Sequence, residues 1–349
     1  MKKFIIKGPT KKIIGSVNIS GAKNSCLPLM AASILFKGKV TLKNVPYVKD
    51  VHTMKKLLIA LGSKVEIFEK KNTMIIYNNK SHKLKVPYNL VSTMRAGVLT
   101  MGPLLGRYQK KSIYVAKGGG CSLGIRDIDY HLLGFKSLKA SNTLNNGYVK
   151  INSKQGLEGG KFKFPGITVT GTSNLIMASV LAKGTHIIDN ISIEPEVIDL
   201  INFLTSSGAK IKFLSKRKIK IKGIKEFKNG SHEIIGDRVE AFSYLCLGAI
   251  TKGEILVKNI DPKFLKTEIN FLKKLGCHIK INKNKIFLKS KKIHKPLKIK
   301  TSPYPGYATD NMPIILPLLA KTPGKSEIEE TIFSNRFMAV PELSRMGAN

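Results

Sequence analysis

The chain has 349 residues, 42% of them apolar and none in a low-complexity tract, so it reads as a globular protein long enough for two domains with a sizeable core. Its basic N-terminus carries an apolar run of only three residues, against roughly 7–15 for a secretory signal and roughly 20 for a membrane span, and the chain reads as cytoplasmic. A formal net charge of +38 invites a nucleic-acid reading, but only seven of the 60 basic residues are Arg and the Lys are spread along the chain, which argues for solvated Lys-rich surfaces instead.

The elements follow one repeating order. Residues 29–67 read LMAASILFKGKVTLKNVPYVKDVHTMKKLLIALGSKVEIF: an apolar helix, a Lys-Gly stop, a strand ending in Asn-Val, a short loop, a second helix, a Gly turn and another strand. A looser copy occupies 98–140, and closer copies follow at 175–214 and 245–282, with a fifth at 314–349. Helical spacing before each Gly and β-branched alternation after it predict a βαβαββ unit, repeated at intervals of about seventy residues. Gly at each helix end suits a cap with positive φ.

Two copies break the pattern. In the second, the loop between strand and second helix is long and contains AKGGGCSLGIRD, residues 116–127. A long loop inside a regular repeat is more often functional than structural. The fifth stops at Gly-Ala-Asn after its second helix. The four cysteines (Cys26, Cys121, Cys246, Cys277) form no CxxC and the seven histidines no HExxH, which argues against a disulfide framework and a zinc site. Cys121 alone sits among glycines, with Lys117 and Arg126 near enough to lower a thiol pKa. Cys26, Cys246 and Cys277 lie in apolar segments and read as core.

Six motifs in order carry a resemblance: ISGAKNSCLPLMAA (19–32), GGGCSLGIRDIDYHL (118–132), EPEVIDL (194–200), GDRVEA (236–241), Thr309-Asp310 and TIFSNRFMAVPELSRMGA (331–348). Together they resemble the UDP-N-acetylglucosamine 1-carboxyvinyltransferases, a family of enolpyruvyl transferases. The resemblance implies an α/β fold of two inside-out α/β barrels built from βαβαββ repeats, with the active site between them. It implies a first domain of residues 1–22 and 236–349 and a second of 23–235 carrying the Cys121 loop. It also implies six repeats, so the last is expected to be missing here, together with a phosphate-binding arginine.

The activity so implied moves the enolpyruvyl group of phosphoenolpyruvate to the 3′-hydroxyl of UDP-N-acetylglucosamine and releases phosphate, opening peptidoglycan synthesis. The expected partners are those two small molecules, with no cofactor, no metal, no specific nucleic acid and no membrane. Carried over by motif, Cys121 is the general acid, able to form a covalent adduct with the donor, and Asp310 accepts the hydroxyl proton. Lys23 and Asn24 hold phosphoenolpyruvate. Arg126 contacts phosphate and nucleotide-sugar, and Arg95 the nucleotide-sugar. Asp127, Ile128, Asp129 and Tyr130 line the uridine side, as do Ile167, Thr168, Val169 and Thr170; Ile332 is a further sugar-nucleotide contact.

The chain departs from the family at Asp127, where proline is usual, and at Thr170, where glycine is common. Glu194, Glu196, Asp237 and Glu240 are read as organising the site. Simpler roles stand beside several of these: Asn24 or Asp310 as helix caps, and Ile332 as strand core. Rival readings are a sister enolpyruvyl transferase acting on shikimate 3-phosphate, an inactive truncated member, and a basic nucleic-acid binder. The cysteine-bearing loop speaks against the first.

Overall fold

The computed structural model describes residues 5, 12–79, 81–116, 128–145, 147–291 and 295–348. Its strands and α-helices are β1 (Ile14–Asn18), α1 (Lys23–Ala32), β2 (Lys39–Lys43), α2 (Lys49–Leu61), β3 (Lys64–Phe68), β4 (Thr73–Tyr77), α3 (Tyr88–Val91), α4 (Met101–Arg107), β5 (Ile113–Ala116), α5 (Asp129–Ser137), β6 (Ser141–Asn145), β7 (Tyr148–Asn152), β8 (Lys161–Lys163), α6 (Val169–Ser179), β9 (Thr185–Asp189), α7 (Pro195–Ser206), β10 (Lys210–Ser215), β11 (Lys218–Lys222), β12 (Gly230–Glu233), α8 (Arg238–Ile250), β13 (Glu254–Lys258), α9 (Lys266–Lys274), β14 (His278–Asn282), β15 (Lys285–Lys289), β16 (Lys298–Lys300), α10 (Met312–Ala320), β17 (Glu327–Glu329) and α11 (Ala339–Arg345). The chain divides into two compact units: unit 1 comprises Met1–Ser20 and Gly236–Asn349, and unit 2 comprises Gly21–Ile235.

One sheet pattern recurs. β8 runs parallel to β9, the crossover between them being helix α6, and the β10–β11 hairpin folds back antiparallel to give the order β8-β9-β11-β10. Parallel neighbours need such a crossover, whereas the antiparallel pair needs only a tight turn. Two other sheets take their first strand from far away in sequence. β12 pairs in parallel with β2 of β2-β4-β3, and β1 pairs in parallel with β13 of β13-β15-β14, with Ile14 opposite Glu254. The fifth copy holds the parallel pair β16–β17 and helices α10 and α11; no residue of α11 is buried.

Alternate residues of β4, β9 and β13 are buried, the period expected of strands with one covered face. In unit 1, Phe242, Leu245 and Ala249 of α8 close over Ile255 and Val257 of β13 and Ile286 and Leu288 of β15. Full burial of each large apolar side chain stabilises by about 1.5–3 kcal/mol.

The Asn that ends the second strand of each regular copy has a structural job. Asn44, Asn190 and Asn259 all adopt the left-handed conformation that Asn tolerates better than most residues. From there their amides donate to Ile234 O (2.8 Å), Phe164 O (2.9 Å) and Ile19 O (2.7 Å), bracketing the second strand to the first. Gly21 and Gly236 stand where the chain passes from one unit to the other. A Cβ on Gly21 would lie 1.7 Å from Asn44 O, and one on Gly236 1.9 Å from Asn259 O, so only glycine fits at either position.

Candidate active site

In unit 2, α1 begins at Lys23. Its residues from Ser25 to Ala32 are all buried, so Lys23 and Asn24 are the part of the helix that reaches the surface. Lys23 Nζ lies 3.1 Å from Asp50 Oδ2, both side chains being about two-fifths exposed. The residue before the helix is Ala22, so Asn24 stands inside the first turn and is not its cap.

Arg95 opens a 3-10 turn, Arg95–Thr100, beside His131 of α5. His131 is the centre of a fully bonded network. Asn174 on α6 accepts from Gly102 N (2.8 Å) through Oδ1 and donates through Nδ2 to Val98 O (2.9 Å) and to His131 Nδ1 (2.8 Å). That leaves His131 Nε2 to donate to Thr170 Oγ1 at 3.1 Å, which fixes a neutral tautomer. Burial first, and the nearby charge of Arg95 second, push its pKa down to about 3.

The network joins the Arg95 turn to the start of α5 and the start of α6. Thr168 caps α6, accepting from Gly171 N at 3.2 Å. The Tyr130 ring lies against Gly166, where a Cβ would stand 3.0 Å from the phenolic oxygen. Arg95, Asp129, Tyr130, Ile167, Thr168, Val169 and Thr170 are therefore gathered by neighbouring elements. Ile128 points inward, with its side chain in the core. Cys121, Arg126 and Asp127, and Lys117 with them, lie outside the described residues.

In unit 1, Asp310 occupies the 3-10 turn Thr309–Asn311 ahead of α10, whose preceding residue is Asn311. Arg336, its side chain 11% exposed, donates from Nη2 to Asp310 Oδ1 (2.7 Å) and from Nε to Thr309 O (3.1 Å). Thr309 Oγ1 donates to Glu330 Oε2 (2.9 Å), while Glu330 Oε1 takes the backbone N–H of Ile332 (2.7 Å) and Phe333 (3.1 Å). Buried Glu268 accepts from Ala308 N and from Asn311 Nδ2. Ile332 itself is 37% exposed and lies beyond β17, so it is no strand core residue. The sequence reading missed Arg336, Glu330 and Glu268; the signal for Arg336 was its scarcity, one of seven arginines and inside a quoted motif.

Of the residues read as organising the site, Asp237 and Glu240 have side chains that bind backbone N–H groups. Asp237 caps α8 by accepting from Val239 N (2.8 Å) and Glu240 N (3.1 Å), and Glu240 accepts from Ser20 N (3.0 Å) and the Ser20 hydroxyl. Glu194 precedes Pro195 at the start of α7 and accepts from the Ser192 hydroxyl; Glu196 is buried. Cys26, Cys246 and Cys277 are buried free thiols. Burial and the Asp199 charge push the Cys26 thiol up, burial does the same for Cys246, and Cys277 is raised to about 11. None of the three is a thiolate near neutral pH. Among the described residues no group of three or more His, Cys, Asp or Glu could hold a metal ion, and no helix is long and apolar enough to cross a membrane.

Comparison with known proteins adds the following. The family model described as EPSP synthase (3-phosphoshikimate 1-carboxyvinyltransferase) matches residues 7–349. Proteins named UDP-N-acetylglucosamine 1-carboxyvinyltransferase match the whole chain: that of Pelagibacter ubique is 44% identical over 348 residues and that of Endomicrobium trichonymphae 42% over 349. In both cases the chain spans 82% of the relative's length. Among solved structures, the enolpyruvyl transferase NikO from Streptomyces tendae has a TM-score of 0.83 at 18% identity, covering 96% of this chain and 79% of that one. An EPSP synthase from Acinetobacter baumannii has a TM-score of 0.69 at 17% identity, covering 97% and 80%. These two establish the inside-out α/β fold of the enolpyruvyl transferases.

Proposed function

The chain belongs to the enolpyruvyl transferases, and among them to the UDP-N-acetylglucosamine 1-carboxyvinyltransferases, and on that premise we propose how its residues share the reaction. The reaction transfers the enolpyruvyl group of phosphoenolpyruvate to the 3′-hydroxyl of UDP-N-acetylglucosamine, with release of phosphate, as the first committed step of peptidoglycan synthesis. The sugar oxygen adds to C2 of phosphoenolpyruvate while a proton adds to C3; loss of a C3 proton and of phosphate then restores the double bond.

Cys121 supplies the proton to C3, and Asp310 accepts the proton of the attacking hydroxyl. Arg336 holds Asp310 through both the carboxylate and the Thr309 carbonyl, which fixes the direction of that carboxylate before substrate arrives. Lys23, Asn24 and Arg126 bind the donor anion. Arg95, Asp127, Ile128, Asp129, Tyr130, Ile167, Thr168, Val169, Thr170 and Ile332 form the nucleotide-sugar side. Ile128 contributes through its backbone, since its side chain is in the core. The two units serve as the two domains, and the enzyme works in the cytoplasm.

The observation that carries this reading is a match over the whole of this chain, 44% identical to a protein named for this reaction and spanning 82% of it. The test is to offer phosphoenolpyruvate with either UDP-N-acetylglucosamine or shikimate 3-phosphate and identify the product by mass. Enolpyruvyl-UDP-N-acetylglucosamine together with free phosphate is expected; product from the shikimate acceptor alone would overturn the substrate assignment.

A further inference from the structure

Asp199 is a buried carboxylate that the proposed mechanism does not use. It lies on α7, 3% exposed, and among the described residues no Lys or Arg pairs with it. A carboxylate removed from water is tolerated only when donors replace its hydration. Here Oδ2 takes the Ser25 hydroxyl and the Ile235 N–H (3.4 Å), and Oδ1 takes His232 Nε2 (2.7 Å). The order serine–aspartate–histidine, with the acid in the middle, leaves Ser25 bonded to the carboxylate and not to the imidazole. It is no nucleophile-activating arrangement.

The bonds close a ring. Ser25 is the third residue of α1, and Ile235, which donates to Asp199, accepts at its carbonyl from Ala22 N at 2.7 Å. The path Ser25–Asp199–Ile235–Ala22 returns along the backbone through Lys23 and Asn24. The two residues read as donor ligands are therefore the exposed span of a loop whose ends share one buried carboxylate. The serine hydroxyl lies in an otherwise apolar run, Cys26-Leu27-Pro28-Leu29, where it needs an acceptor, and Asp199 is that acceptor.

We propose that Asp199 is a positioning residue for the donor site: through Ser25 and Ile235 it fixes the first turn of α1 so that Lys23 and Asn24 face phosphoenolpyruvate. This rests on the reading of Lys23 and Asn24 as donor ligands. Asp199→Asn keeps the shape but replaces an acceptor oxygen with a donor facing donors, which loosens the turn. Ser25→Ala removes one strut and leaves the carboxylate with His232 and Ile235.

The test is calorimetric titration of the full chain and three variants, Asp199→Asn, Ser25→Ala and Lys23→Ala, with phosphoenolpyruvate and separately with UDP-N-acetylglucosamine. Amide hydrogen exchange of the peptide covering 22–27 is followed in the same proteins. Asp199→Asn is expected to weaken phosphoenolpyruvate binding about tenfold and Ser25→Ala roughly threefold. Nucleotide-sugar affinity should stay within about twofold, and exchange at 22–27 should quicken in both. Equal weakening of both ligands, or unchanged exchange and donor affinity in both variants, overturns the proposal. If Lys23→Ala weakens donor binding and the other two do not, the positioning role alone falls. If Lys23→Ala leaves donor binding unchanged, the donor-site reading falls and this proposal with it.

Discussion

Units 2 and 1 each present a charged candidate residue at the start of a helix, and they hold it differently. Lys23 meets Asp50 at 3.1 Å, between two side chains that water reaches. Asp310 meets Arg336, an 11% exposed guanidinium that also grips the neighbouring carbonyl of Thr309. A solvent-exposed pair of this kind contributes about 0–1 kcal/mol, which leaves it open to exchange for another anion. A planar two-point grip from a largely buried arginine keeps its partner in one direction. The difference matches the proposed roles: a ligand-binding cation must let go of its resting partner, and a proton acceptor must already point the right way.

The comparison breaks most directly at Asp310. Asp310→Asn removes the acceptor and retains a group for Arg336, and steady-state kcat should fall by about 10²–10⁴, the usual contribution of a positioned base. Arg336→Lys comes next. It keeps the charge and loses the second bond, so kcat should drop roughly tenfold to a hundredfold with little change in KM for UDP-N-acetylglucosamine. A variant with normal kcat would mean that the grip on Thr309 is ornamental.

Acid sharpens the contrast between the units. His82, His131 and His186, all in unit 2, are buried, with pKa values lowered to about 4, 3 and 4 from 6.5, burial being the main cause in each. Among the described residues unit 1 has only His278, which is exposed. A histidine whose folded pKa is depressed favours the neutral form. Its stabilising share is complete above pH 6.5, is lost as pH falls below that, and stops being lost beneath the folded value. Each should cost on the order of 1 kcal/mol per pH unit within that window. Urea unfolding from pH 7 to 4.5, followed by hydrogen exchange, should show unit 2 losing protection before unit 1; the reverse order would contradict this. The smallest effect is expected from Asp50→Asn, which should change stability by less than about 1 kcal/mol and leave phosphoenolpyruvate affinity equal or slightly improved, read by thermal melting and titration.

Much of the repeat was legible in the sequence because its signals are local. Helical spacing, a Gly stop and β-branched alternation lie within forty residues of one another, and the recurring Asn-Ile or Asn-Val end turned out to mark the bracket made by Asn44, Asn190 and Asn259. The exchange of first strands was legible only through the family resemblance, not in any local pattern. β1 finds β13, with Ile14 beside Glu254, and no short-range pattern announces a parallel partner so distant. The need for glycine at 21 and 236 comes from the approach of Asn44 O and Asn259 O, which no local pattern encodes. Lys23 and Asp310 are proposed from motifs, while their pairing with Asp50 and Arg336 was hidden, because an ion pair between separate elements leaves no mark in spacing. The cap expected of Asp310 moved one residue, to a turn with Asn311 ahead of the helix.

The central claim is a division of labour, with the donor held by unit 2 and the acceptor proton taken by unit 1. Intact-protein mass spectrometry after incubation with phosphoenolpyruvate and UDP-N-acetylglucosamine tests it in one step. The parent chain should show a donor-derived adduct on Cys121 and form product. Asp310→Asn should keep the adduct and lose the product, and Lys23→Ala should lose the adduct as well. An adduct that disappears in Asp310→Asn yet survives in Lys23→Ala would contradict the account.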